Sequence, residues 1–184
     1  GLAEKTIVIY TSDHGDLCGG HGMIDKHYVL YDDVTRIPLI VRDPRLYGGK
    51  RVKSFVSHLD LGATIADLCG LSGVDAGHGR SLQPLLEGLE ELDRDAAVCS
   101  ANGQQFGLFT QRSIRTADWL YVWNLTDTDE LYAVQSDPGQ LVNRIGGNNR
   151  YETAAKIALA GDSCANFAVL ANGDTFADAL SASY

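Results

Sequence analysis

Asp13 and His14 stand side by side where an apolar run gives way to a glycine-rich loop. A carboxylate next to an imidazole offers one oxygen and one nitrogen donor, half of a metal site. Lys26 follows thirteen residues after Asp13 and carries a compact cation suited to a tetrahedral oxyanion. A metal site with a lysine beside it is the equipment for handling sulfate or phosphate esters. Taken alone, the pair reads first as a loop pair satisfied by backbone hydrogen bonds, and a solvated surface lysine is the alternative for Lys26.

The elements around these residues favour the chemical reading. Residues 6–10 are a continuous apolar run that predicts a buried strand. Gly15, Gly19, Gly20 and Gly22 break the chain after it. Asp13 and His14 therefore fall at the carboxyl end of a strand, where open α/β sheets bind ligands. Residues 37–41 form a second apolar run with Pro38 near its start, and residues 27–35 between the two predict a short helix. Ser57 with Asp60 three residues on reads as a capping box. Leu61, Ile65 and Leu68 then make one apolar helix face, closed by Gly70. A further short helix is expected after Ser81, through Leu82, Leu85 and Leu86. The fold class over residues 1–92 is α/β, a mostly parallel sheet with flanking helices.

The texture then changes twice. Residues 93–142 hold short aromatic strand candidates at 96–99, 106–110, 119–123 and 130–134. Turn residues at Gly103, Gly107, Asp127 and Asp137-Pro138-Gly139 separate them, which predicts a small antiparallel meander. Residues 144–184 predict a truncated βα repeat unit. An alanine-rich helix at 151–160 ends at Gly161, a strand follows at 167–170, and a second helix opens near Gly173. That unit is too small to bury its own core.

The bulk properties exclude several classes. A net charge of −9 argues against a duplex nucleic-acid binder and against an electrostatic hold on anionic membranes. No apolar stretch approaches membrane-spanning length, so no transmembrane segment is expected. The chain opens on Gly1 and enters a strand almost at once, the look of a piece of something longer. Cys18, Cys69, Cys99 and Cys164 lack the spacing of a zinc ribbon or a redox pair and read as free or partly buried thiols.

With these residues in hand, residues 1–142 resemble the C-terminal part of a type I sulfatase of the alkaline phosphatase superfamily. The shared motifs fall in order. Ser12-Asp13-His14-Gly15 comes first, then His21-Gly22, Lys26 and Arg36-Ile37-Pro38-Leu39-Ile40. Ser57-His58-Leu59-Asp60 with Thr64 is next, then Gly79-Arg80-Ser81-Leu82 with Leu85-Leu86-Glu87-Gly88. Glu130-Leu131-Tyr132, Asp137-Pro138 and Asn143 close the series.

The resemblance implies a divalent metal, calcium, held in part by Asp13 and by His14 in the second ligand slot. It implies that Lys26 contacts the sulfate group of a small-molecule or glycan sulfate ester. His21 lies in the matching loop. The family's nucleophile sits in a Cys-x-Pro-x-Arg or Ser-x-Pro-x-Arg motif that these 184 residues do not contain, so the resemblance implies no turnover by this chain alone. Two alternatives stand beside it. One is a phosphodiester or phosphonate-ester hydrolase of the same superfamily, using manganese or zinc. The other is a catalytically inactive, wall-associated binding protein. His58 reads as a hydrogen-bonded structural residue. Tyr31, Tyr132, Trp119 and Trp123 read as core or meander surface, and His27 and His78 as exposed.

Residues 144–184 resemble part of a cell-wall-binding type 2 repeat. Arg144-Ile145-Gly146-Gly147, Asn149-Arg150-Tyr151-Glu152-Thr153-Ala154 and residues 169–182 carry that likeness, with Arg150 read as an anchor of the repeat. It implies an exported protein held on a Gram-positive cell wall through complete repeats that bind anionic wall polymer.

Overall fold

The computed structural model describes residues 1–88, 91–103 and 109–141. The helix expected at 151–160, the strand at 167–170, the helix opening near Gly173 and residues 106–108 lie outside the described residues. The chain divides into two compact units. One comprises Gly1–Lys26 and Asp32–Val98; the other comprises His27–Tyr31 and the chain from Cys99 on.

In the first unit, strands β1 (Val8–Thr11) and β2 (Leu39–Arg42) accompany helices α1 (Asp32–Thr35), α2 (Leu59–Leu68) and α3 (Gln83–Glu87). The mostly parallel sheet expected here is not tested by the one strand pair described in this unit. β1 and β2 run antiparallel, with Val8 opposite Arg42 and Thr11 opposite Leu39. The connection between them explains the direction. It holds only short helical turns, Gly20–Gly22 and the four residues of α1, and the Gly15 amide donates to the Val34 carbonyl at 2.8 Å. That bond holds the end of the connection near the end of β1 from which it left, so β2 must run back. Burial differs from expectation. Val8, Tyr10, Ile40 and Arg42 share one exposed face of the ribbon, and its other face is half-buried. Two strands alone leave one face open to solvent.

The expected apolar face of α2 is corrected too. Leu61 and Leu68 are only half-buried and Ile65 is exposed, whereas Asp60 and Thr64 are fully buried. The buried polar pair is saturated. The Asp60 carboxylate accepts the Ser57 amide at 2.7 Å, the Arg80 amide at 2.9 Å and both arms of the Arg94 guanidinium at 2.6 and 2.8 Å. Thr64 Oγ1 donates to the Asp60 carbonyl at 2.6 Å and accepts the Leu82 amide at 2.9 Å, pinning the approach to α3. The carboxylate half of the capping box thus forms as predicted, while His58, not Ser57, occupies the N-cap. Gly70 closes the helix with φ +68°; its amide donates to Asp67, and the Leu71 amide to Ala66. These are the paired bonds of a Schellman turn.

In the second unit, β3 (Ala97–Gly103), β4 (Phe109–Arg115), β5 (Trp119–Asn124) and β6 (Glu130–Ala133) form one sheet in that order. β4 pairs antiparallel with β5, and β5 with β6, as the alternating aromatic segments and turn residues predict. Leu120, Val122, Tyr132 and Val134 make its core, with the Tyr31 ring edge-on to Tyr132 at 6.1 Å. Buried carboxylates are partnered here as well. Glu130 accepts from the hydroxyls of Tyr31 and Tyr132 and from Asn124; Asp129 accepts from the Tyr121 hydroxyl and the Asn124 amide. Among the described residues no helix is long and apolar enough to cross a membrane.

Candidate functional site

The loop after β1 brings Asp13 and His14 together as side chains, not merely as neighbours in sequence. Asp13 Oδ2 lies 3.4 Å from His14 Nε2, and Asp13 Oδ1 accepts the His14 amide at 3.0 Å. His14 Nδ1 is 2.7 Å from the Gly15 carbonyl oxygen. A carbonyl can only accept, so Nδ1 is a donor to Gly15, and Nε2 is the nitrogen that faces the carboxylate. A ring nitrogen facing a carboxylate oxygen is bridged by a shared proton or by a cation. One oxygen and one ring nitrogen, with the other nitrogen tied back to a carbonyl, is the donor chemistry of a divalent-metal clamp.

The Asp13 side chain is 85% exposed. Its carboxyl is held below the usual carboxylate value chiefly by the His14 amide; slight burial opposes this, and the charges of His14 and Lys26 add to the lowering. Asp16, next in the loop, is lowered in the same way by the Cys18 amide.

Backbone geometry shapes the loop. The Leu17 amide donates to the Asp25 carbonyl at 3.1 Å and the Gly19 amide to Met23 at 2.9 Å. These bonds return the chain at Lys26 to within electrostatic reach of Asp13. Lys26 is exposed and makes no ion pair among the described residues. Cys18, His21 and Asp25 all adopt left-handed φ, from +48° to +67°. Non-glycine residues hold that region only when surrounding bonds impose it. Gly15 is required for packing, since a Cβ there would lie 1.9 Å from the Asp33 carbonyl oxygen.

His58 and Asp60 both lie in a motif the sequence shows, and His58 is hydrogen-bonded at a helix start as expected; what escaped is the partner of each. His58, at the N-cap of α2, places Nε2 2.8 Å from the Ser12 carbonyl oxygen, tying the helix start to the residue before Asp13. Asp60 is the centre of a buried ion pair with Arg94, a partner that no motif names. His21 is half-buried, and His27 and His78 are exposed as expected. Among the described residues no group of three or more His, Cys, Asp or Glu side chains gathers as a metal site; Asp13 and His14 supply two donors.

Comparison with known proteins matches this picture. Residues 1–71 match the sulfatase family model, and residues 144–184 match the model for cell wall binding domain 2 (CWB2). The chain thus joins a segment that matches the sulfatase model to one that matches the cell-wall-binding model. It is 38% identical over 146 residues to the uncharacterized sulfatase YidJ of Escherichia coli K12, covering 77% of this chain and 28% of that one. It is 33% identical over 149 residues to the Delta 4,5-hexuronate-2-O-sulfatase of Bacteroides thetaiotaomicron, covering 76% and 30%. Its fold superposes on the crystal structure of the phosphonate monoester hydrolase of Agrobacterium radiobacter with a TM-score of 0.70. The identity is 29%, covering 85% of this chain and 34% of that one. The chain therefore spans less than a third of the length of these curated relatives, 28% and 30%.

Proposed function

We propose that this chain carries the cation- and sulfate-binding part of a sulfate-ester hydrolase presented on a cell wall. The observation that carries the reading is the Asp13 Oδ2 to His14 Nε2 approach of 3.4 Å, with His14 Nδ1 committed to Gly15. Asp13 and His14 would hold a divalent cation, calcium in this reading. A cation held there would supply positive charge to the oxygens of a bound ester. Lys26 contributes the second positive contact, binding and orienting the tetrahedral anion. The Gly15 carbonyl engages Nδ1 and leaves Nε2 as the nitrogen that would meet the cation. The substrate is a sulfate ester of a small molecule or glycan, as the name of the hexuronate sulfatase relative suggests. The likeness to a phosphonate monoester hydrolase favours a second reading, in which the same pair serves phosphonate or phosphate esters with manganese or zinc.

Attack on sulfur needs a nucleophile that the family places in a motif these 184 residues lack. Hydrolysis of an aryl sulfate by this chain alone is therefore not expected. Turnover that survives purification and scales with its concentration would overturn that part. The wall-binding match supports export and attachment to a Gram-positive wall, with anionic wall polymer as partner.

The test is a calcium titration of the 15N-labelled chain. The amides of Asp13, His14 and Gly15 should shift together, and Asp13→Ala should remove the response. Sulfate added at saturating calcium should then shift the Lys26 side chain, and phenylphosphonate should do so more strongly only under the second reading. No calcium response at Asp13 and His14 would refute the assignment.

A further inference from the structure

We propose that His58 is a positioning residue for the Asp13–His14 pair, acting through the Ser12 carbonyl; its consequence for binding rests on the reading that this pair takes a cation. The hydrogen bonds within Ser12–His14 are all local. Ser12 Oγ reaches Asp13 Oδ1 at 3.4 Å and the His14 carbonyl at 2.5 Å, and the His14 amide reaches Asp13 Oδ1 at 3.0 Å. Bonds between residues one or two apart shape a loop but do not orient it against the rest of the protein.

Two long-range bonds do orient it. On one flank the Gly15 amide meets the Val34 carbonyl at 2.8 Å. On the other, His58 Nε2 meets the Ser12 carbonyl at 2.8 Å across 46 residues of sequence. A carbonyl only accepts, so His58 Nε2 is the donor. The Ser12 carbonyl belongs to the peptide plane that delivers Asp13. Fixing that plane fixes where the Asp13 carboxylate leaves the strand.

His58 is well placed to act as a fixed point. It is the N-cap residue of α2, yet its side chain makes no capping bond to its own helix. N-caps favour Ser, Thr, Asp or Asn, whose short oxygens satisfy the first amides; this imidazole spends its donor on the loop instead. The backbone that carries it is clamped on both sides, through Ser57 and Asp60. Asp60 is fully buried and takes the Ser57 amide, the Arg80 amide and the Arg94 fork. His58 itself is exposed and fills no core. A rigid, buried anchor thus ends in an exposed imidazole whose one described bond reaches the residue before the candidate ligand pair.

The test uses the 184-residue chain with His58→Ala and His58→Gln; a glutamine places its Nε2 donor about where the histidine places its own. Two readouts are taken: backbone 15N order parameters of residues 12–15 without metal, and Mn2+ affinity followed through broadening of the His14 ring signals. In His58→Ala the order parameters of Asp13 and His14 should fall from about 0.85 toward 0.6, and Mn2+ affinity should drop about three- to tenfold, the worth of one hydrogen bond. His58→Gln should restore both, with α2 intact in either variant. Unchanged order parameters in His58→Ala would overturn the proposal, as would loss of order along α2 that glutamine does not repair. If the wild-type chain takes no Mn2+ while the order parameters respond as expected, the cation reading fails and the tether stands.

Discussion

Two aspartates of the first unit invite comparison, because both sit below the usual carboxylate range for opposite structural reasons. Asp60 is fully buried. Burial pushes its carboxyl up, yet the Arg94 guanidinium and the amides of Arg80 and Ser57 outweigh that and bring it down. Asp13 lies in solvent, lowered first by a single amide and only lightly by the charges around it. Asp60 has its acceptor sites filled by four donors; Asp13 leaves an oxygen facing an imidazole nitrogen. A saturated carboxylate serves architecture, since removing it strands its partners. An open carboxylate contributes little to folding and remains available to a ligand. The difference separates an anchor from a site within one unit.

Breaking the anchor should have the largest effect. Asp60→Ala leaves the half-buried Arg94 guanidinium uncompensated and frees two amides. Loss of one partner of a buried pair costs about 3–5 kcal/mol, which should lower the thermal midpoint by roughly 10 °C. Calorimetry checks this, and a fall of only a degree or two would place Asp60 among surface residues. Gly15→Ala comes next. The added methyl would meet the Asp33 backbone oxygen at 1.9 Å, so the loop or α1 must shift, at about 1–3 kcal/mol. The amide signals of residues 13–16 should move with it, and a variant with wild-type spectra would show that the contact is slack.

The pH dependence sharpens the comparison further. Asp60 has a folded pKa below its ordinary value of 3.8. Its contribution is therefore complete above that ordinary value and is lost as pH falls through the lower folded one. Urea midpoints of the wild type should decline steeply below about pH 4, and Asp60→Asn should flatten that decline. Asp43, lowered by Arg45, acts in the same direction and remains in both proteins, so the difference isolates Asp60. Equal slopes would remove Asp60 from the acid response. Asp13→Ala stands at the small end, with an unfolding midpoint indistinguishable from wild type.

The contrast also marks what sequence could convey. The meander was legible because residues 119–123 and 130–134 combine aromatic and β-branched side chains with turn residues between them, and such signals are local. Gly70 was legible for the same reason. The direction of β1 against β2 was not, because the bond that sets it joins Gly15 to Val34 across a loop. The buried stripe of α2 escaped because Asp60 and Thr64 are polar; their burial depends on Arg80, Leu82 and Arg94, far along the chain. At the site, adjacency gave Asp13 and His14. The His58 tether spans 46 residues, and the left-handed backbone at Cys18, His21 and Asp25 follows from loop closure that composition does not encode.

The central claim, that Asp13 and His14 form an open pair for a cation while Asp60 is closed to one, meets its most direct test in a Mn2+ titration of the 184-residue chain. The ring signals of His14 should broaden first, ahead of those of the exposed His27 and His78, which serve as internal controls. Asp13→Ala should abolish that preference, and Asp60→Asn, studied below its unfolding midpoint, should keep it. Broadening of His14 that merely tracks His27 and His78, or that survives Asp13→Ala unchanged, would contradict the account.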